Sequence, residues 1–556
     1  MDRVAPTPAA RHPWVRDLLL LTLGVALLYG PHLGRRALWS PDEGRYAEIP
    51  REMVASGDWV TPRLNGVKYF EKPPLVYWLT AGAIELGGTR EGVLRLVPAL
   101  FALLSVLGVY AAGRCLYGRP AGLWAGGILA TTPLWFGLGE SLTLDMGVSS
   151  LLTLALLAFL FAARAERPGR RRLLLYLFYA LAALATLTKG LIGIFIPGMV
   201  LGAWILLTRQ WRLIRLVLSP VGIGLFLLIA VPWHVLVARA HPEFTWFYFV
   251  HEHFLRYTTK VHKRYEPIWF FLPILVAGML PWTAFLPRAL RTALRAPADE
   301  RQANILFLLW AALVFAFFSL SDSKLVPYIL PVLPPLSLLL GRDLAASWET
   351  GARKRGAAYV ALLVLAWALG IAFLFVPQIP KAAASAELLG GFTYALAGSL
   401  LLMGLLPLAL DRTSRARAAL LAAAASAFLF LTVLGAGMPR LDSERSVRSL
   451  AREIRARWQP GDEVASLRDY FQDLPFYLGR TVTVAAWRGE LDYGIEHEDV
   501  RRFMIGEDEL WRRWNGPGRV YLVVDAKTAL PADPTLKIAP QLLARSGNVL
   551  LYVNHL

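Results

Sequence analysis

The recurrence of long apolar runs over the first four-fifths of this chain limits its fold more than any other feature. About thirteen stretches are long enough to cross a bilayer as helices once tilt is allowed. They fall at 18–33, 93–112, 121–138, 142–163, 173–187, 190–207, 213–237, 268–285, 305–320, 325–340, 358–376, 392–410 and 418–438. Hydrophobic residues make up 56% of the 556 positions, above the roughly 45–50% of a soluble domain. The expectation is a mainly α membrane protein over 1–438, its first helix retained. A change of composition follows over 439–556. Short strand patterns there at 463–466, 481–486, 519–524 and 549–553, with helical stretches near 471–478 and 507–514, predict a small soluble α/β domain.

The formal net charge of +18 does not indicate nucleic acid. Most of it sits in short loops between runs. Alternate loops carry Arg114 and Arg119, then Arg164 to Arg172, then Arg209, Arg212 and Arg215, and later loops repeat the pattern. Basic loops mark the cytoplasmic side and suit anionic phospholipid head groups. The opposite, periplasmic face receives a large first loop, 34–90, the 140–145 turn, 188–189, the 239–267 loop, 321–324 and the tail after Met438. One cysteine, Cys115, leaves no intrachain disulfide framework.

The residues able to do chemistry gather on that second face. Asp42 and Glu43 follow Pro41; alone, they read as an ordinary acidic turn. Their neighbours Leu38, Trp39, Tyr46, Ile49 and Met53 predict an amphipathic helix over 42–53 lying on the membrane surface. Asp42 would serve there as a general base or as a contact for a sugar, with Glu43, Tyr46 and, from a later span end, Lys189 as further sugar or acceptor contacts. Tyr69-Phe-Glu71-Lys72-Pro-Pro comes next. Prolines open helices, so Lys72 belongs at a helix N-terminus, where an anion is favoured. Asp145 begins a span at the level of Lys189; a structural ion pair and a substrate contact weigh equally. Arg256 suits bidentate phosphate binding. Lys324 is either a snorkelling anchor or, with Tyr328 a turn further in, a lipid-phosphate contact. His251 and His253 with Glu71 make a weak candidate metal set, with structural histidines the better reading.

Together these groups suit a polyprenyl-phosphate sugar: hydrocarbon for its tail, cations for its phosphate, acids and aromatics for its sugar. The segments PDEGRYAEIPREM, FEKPPLVYW, LTLDM, HEHFLRY and SKLVPYILP resemble the bacterial 4-amino-4-deoxy-L-arabinose lipid A transferases, members of the protein-O-mannosyltransferase-like GT-C superfamily. The resemblance covers essentially the whole chain. It implies a GT-C fold and an inverting transfer of the aminosugar from undecaprenyl phosphate to lipid A phosphates. That reaction takes place on the periplasmic face of the inner membrane and confers resistance to polymyxin and cationic peptides. By resemblance Asp42, Asp145 and Lys72 are catalytic positions, and Lys72, Arg256, Tyr69 and Tyr328 hold the donor phosphate. No cofactor is required, and zinc is the candidate ion for Glu71 and the histidines. The expected partners are the lipid-linked donor, lipid A and membrane phospholipid, with the chain a monomer. Transfer of another polyprenyl-phosphate sugar to a glycan or protein is the alternative. A lipid-linked substrate transporter is disfavoured, because it needs midplane charges and broken helices and the ionisable groups here gather on one face.

Overall fold

The computed structural model describes residues 13–255, 266–350, 356–375, 378–379, 383–528, 530 and 536–555. Among these, nine helices are long and apolar enough to cross a membrane, and a bent pair, Phe271–Gly278 with Trp282–Leu294, makes a tenth if counted as one. The expected count of about thirteen is not reached by that measure. Pro13–Tyr29 and Ile192–Thr208 have 17 residues each, and Arg119–Ala130 has 12. Proline accounts for the broken elements, since it removes an N–H and restricts the residue before it. The run expected over 121–138 stops at Ala130 and resumes at Pro133, and the 101° bend of the pair falls at Pro281.

The most enclosed spans are Val326–Thr350 and Leu144–Arg164, whereas Trp211–Ala240 faces mostly outward. Leu144–Arg164 packs against Glu91–Tyr117 and Pro168–Lys189. Its starting turn carries Asp145, and the start of Val326–Thr350 carries Tyr328.

Past the last apolar helix, Ala416–Gly437, the chain forms a six-stranded sheet. Its order is Met504–Ile505, Thr483–Ala485, Glu463–Leu467, Val520–Asp525, Val549–Val553 and Gln541–Ser546. The first four strands are parallel and the last two antiparallel. The central strands are buried on both faces, and Val520–Asp525 shows this as an apolar run, VYLVV.

The first loop joins the two regions. The Asp42–Ser56 helix forms where the sequence predicts it, and protein encloses it more fully than a one-faced amphipathic pattern implies. It packs against Leu75–Gly87 on one side and Asp473–Leu478 on the other. Ala47, Glu48, Ile49 and Met53 are all buried. The reason lies in the flanking contacts. Leu38 N–H donates to the Tyr477 hydroxyl at 2.8 Å, Ser40 N–H to the Arg445 carbonyl at 2.9 Å, and Trp39 Nε1 to Asp442 at 3.0 Å. The short hairpin Arg63–Leu64/Val67–Lys68 adds a reciprocal pair, Asn65 with the backbone of Val482, at 2.9 and 2.8 Å.

Gly44 is the point of closest approach. A Cβ there would lie 2.4 Å from Asp473 N and 2.7 Å from Gln472 C. Gly44→Ala therefore overpacks a backbone contact that cannot give, at a cost of roughly 1–3 kcal/mol. A lower thermal unfolding midpoint in detergent is expected. Gly82→Ala, whose Cβ meets nothing within 4 Å, should leave the midpoint unchanged or higher.

Candidate active site

A cavity of about 600 Å³ opens where the outer loops meet the C-terminal domain. Its wall contains Asp42, Tyr46, Glu71, Lys72, Asp145, Lys189, His251 and Tyr328, so residues expected from six separated stretches come together. Each reaches it for a local reason. Asp42 is the first residue of its helix and is 58% exposed. Lys72 precedes the helix that begins at Leu75 after Pro73-Pro74, as expected. Its Nζ lies 2.7 Å from the Glu71 carbonyl and 3.3 Å from Glu252 Oε2. Asp145 and Lys189 form an ion pair, and the Lys189 ammonium stands 4.6 Å over the Tyr328 ring.

Aromatic rings close one side. Tyr493 stacks on Phe247 at 3.8 Å, and Phe247 stacks on His251 at 5.1 Å. His251 Nδ1 lies 3.3 Å from Glu252 Oε1. Phe247, His251 and Glu252 sit on a π-helical segment, Trp246–Leu255. Among the described residues no three His, Cys, Asp or Glu groups converge as a metal site. Glu71 and His251 do line the cavity. Arg256 and the His253 side chain lie outside the described residues.

Three expected site residues sit elsewhere. Glu43 is buried behind the wall, bonded to Arg36 and to Arg95, whose Nε is 2.8 Å from Oε1. It also accepts from the N–H groups of Trp39 and Leu142, both at 3.0 Å. It is a structural anchor rather than a sugar contact, because helical geometry turns it about 100° from Asp42. Lys324 is buried with its ammonium 2.7 Å from the Glu266 carbonyl, so it binds backbone rather than lining the cavity. Tyr69 packs behind the wall, its ring 6.0 Å from the Arg45 guanidinium.

The sequence reading missed Arg45, Trp246, Phe247 and Glu252, and every contribution from the C-terminal domain: Gly489, Glu490, Asp492, Tyr493 and Glu496. Arg45 had a local signal, since it stands three residues after Asp42 on one helix face. The others depend on tertiary docking.

A crystal structure of ArnT from Cupriavidus metallidurans bound to undecaprenyl phosphate is similar along 98% of both chains, with a TM-score of 0.86 and 31% identity. This chain belongs to the ArnT family of aminoarabinose transferases. The family model for the aminoarabinose transferase C-terminal domain matches residues 450–532, and that for dolichyl-phosphate-mannose-protein mannosyltransferase matches 71–235. Similar relatives are named undecaprenyl phosphate-alpha-4-amino-4-deoxy-L-arabinose arabinosyl transferase. That of Erwinia tasmaniensis is 33% identical over 368 residues, 66% of each chain. That of Pseudomonas aeruginosa is 37% identical over 345 residues, 61% of each. These sequence matches thus span under two thirds of the relatives' length. In the terms of the ArnT family, the observed fold is the GT-C bundle with its C-terminal domain.

Burial alone would raise the Glu43 carboxyl, but the guanidiniums of Arg36 and Arg95 outweigh it and hold it at about 2, against an ordinary 4.5. Its stabilising contribution is therefore complete above pH 4.5 and is lost as pH falls towards 2. Glu43→Gln leaves two guanidiniums buried without their carboxylate, which costs roughly 3–5 kcal/mol. Chemical denaturation at neutral pH should show that loss. The difference between the two proteins should shrink as pH is lowered below 4.5.

Proposed function

We propose that this chain transfers 4-amino-4-deoxy-L-arabinose from undecaprenyl phosphate to the phosphates of lipid A on the periplasmic face of the inner membrane. One observation carries the reading. The cavity combines a cation at a helix start, Lys72, with an exposed carboxylate, Asp42, and tyrosines, at the mouths of membrane spans. A lipid-linked sugar phosphate needs these together: hydrocarbon below, a cation at the boundary, and polar groups above. The similar Cupriavidus metallidurans protein has undecaprenyl phosphate bound.

The chemistry asks little of a base. A phosphate monoester of lipid A is already anionic at neutral pH. One of its oxygens attacks the anomeric carbon, the bond from that carbon to the donor phosphate oxygen breaks, and configuration inverts. Undecaprenyl phosphate leaves with the electron pair. Negative charge grows on the departing phosphate, and Lys72 is placed to stabilise it. Asp42 meets the sugar, holding its amine or hydroxyls. The Asp145–Lys189 pair and Tyr328 form another part of the lining. The product lipid A carries added amines, which lowers its attraction for polymyxin and other cationic peptides.

Lys72→Ala should lower transfer about 100-fold or more without loss of folded protein, measured with lipid-linked donor and lipid A in detergent. Asp42→Asn should likewise lower turnover. Mass spectrometry of lipid A from cells with and without the gene tests the acceptor. A mass increment matching aminoarabinose is expected, and unchanged lipid A rejects the assignment.

A further inference from the structure

The cavity wall contributed by the C-terminal domain is not merely a cover. Glu490 stands on the segment that follows the Thr483–Ala485 strand, and its carboxylate is held from both sides. Gln472 Nε2 donates to Glu490 Oε1 at 2.9 Å, and Arg45 Nη2 approaches Glu490 Oε2 at 2.5 Å. The other terminal nitrogen of the same guanidinium, Nη1, donates to Asp42 Oδ1 at 3.1 Å. Arg45 and Glu490 are largely buried, with side chains 11% and 14% exposed, while Asp42 is open to the cavity. The guanidinium also stands 5.7 Å over the Tyr46 ring and 6.0 Å over that of Tyr69, which limits its swing.

Gln472 is itself fixed. Its neighbour Asp473 accepts from the Ser40 and Ser446 hydroxyls at 2.5 and 2.6 Å and from the Val447 N–H at 2.9 Å. The Gly44 contact sits on the same two residues. A continuous chain of bonds thus runs from the C-terminal domain to the first-loop acid: Gln472, Glu490, Arg45, Asp42.

We propose that Arg45 is a positioning residue through which Glu490 of the C-terminal domain sets the orientation of Asp42 for transfer. The proposal rests on the reading of Asp42 as the acid that meets the sugar. A planar guanidinium ties two carboxylates at a fixed angle because each takes a different nitrogen. An ammonium carries the same charge without that fork. A displacement of the acid of about 1 Å costs up to roughly 100-fold in rate with little change in ground-state binding.

The test is a double-mutant cycle on the full chain in detergent, with lipid-linked aminoarabinose as donor and lipid A as acceptor. Glu490→Gln and Arg45→Lys should each lower kcat about 10-fold or more in protein that remains folded at the assay temperature, with the donor KM within about threefold. In an Arg45→Gln background, Glu490→Gln should add less than about twofold, because the link is already cut. Additive effects, full activity in Arg45→Lys, or a loss confined to KM would overturn the proposal while leaving the role of Asp42 intact. Near-normal kcat in Asp42→Asn would instead remove the reading on which it rests, and the proposal with it.

Discussion

One buried carboxylate between two buried guanidiniums holds this structure in register. Glu43 joins Arg36, seven residues before it, to Arg95, which lies inside an apolar span. Ions taken out of water are costly unless nearly every donor and acceptor is satisfied. Here the second positive charge is absorbed by backbone. Arg95 donates to the carbonyls of Leu33, Arg36 and Ala37, and Arg36 to that of Glu140. Leu142 N–H then closes on Glu43 itself. The first loop, the Glu91–Tyr117 span and the 140–142 turn are thereby fixed to one another, and Asp42, Arg45 and Tyr46 inherit their directions from that anchor.

Much of the site was legible because membrane topology does the sorting. Once alternate loops are assigned by their arginines, Asp42, Lys72, Asp145, Lys189, His251 and Tyr328 share a face, and one cavity does contain them all. Direction within a helix was less legible. Asp42 and Glu43 are adjacent and chemically alike, and only the arginines facing them tell them apart. Arg95 sits in a run that reads as hydrocarbon-compatible, so composition conceals it. The same limit applies to Lys324, whose partner is a backbone carbonyl rather than a side chain with a sequence signature. The long spans were located, some within two residues of their ends, as at 358–376 for Gly356–Phe375, others up to ten short, as at 325–340 for Val326–Thr350, because helices continue into polar residues past the apolar run. Those interrupted by proline were read as whole because apolar composition continues across the break.

The C-terminal domain illustrates a different limit. Its strands were readable, since runs such as VYLVV leave little choice. The two edge strands were not: Gln541–Ser546 is partly exposed and reads as polar, and Met504–Ile505 is too short to show a pattern. Nothing in composition shows that Glu490 and Tyr493 belong to a cavity whose other residues lie hundreds of positions earlier. That follows from docking, and docking depends on features small in sequence terms: a glycine at 44, an asparagine at 65, an aspartate at 473. Each lets backbone approach backbone or satisfies backbone groups across the junction.

The arrangement of charge in the cavity follows from where it lies. A cation at the boundary of hydrocarbon is costly alone, and Lys72, Lys189 and Arg45 each rest on a carboxylate from a different stretch of chain: Glu252, Asp145 and Glu490. Pairing across elements makes each ion pair a tertiary contact as well. The acids are therefore not interchangeable ornaments of a polar pocket. Glu43 is spent wholly on architecture, Asp145 and Glu252 balance lysines, and Asp42, exposed at the cavity, remains where a ligand would meet it. Four carboxylates of similar chemistry thus acquire different work from the cations facing them, and those cations come from elements that only the folded chain brings together.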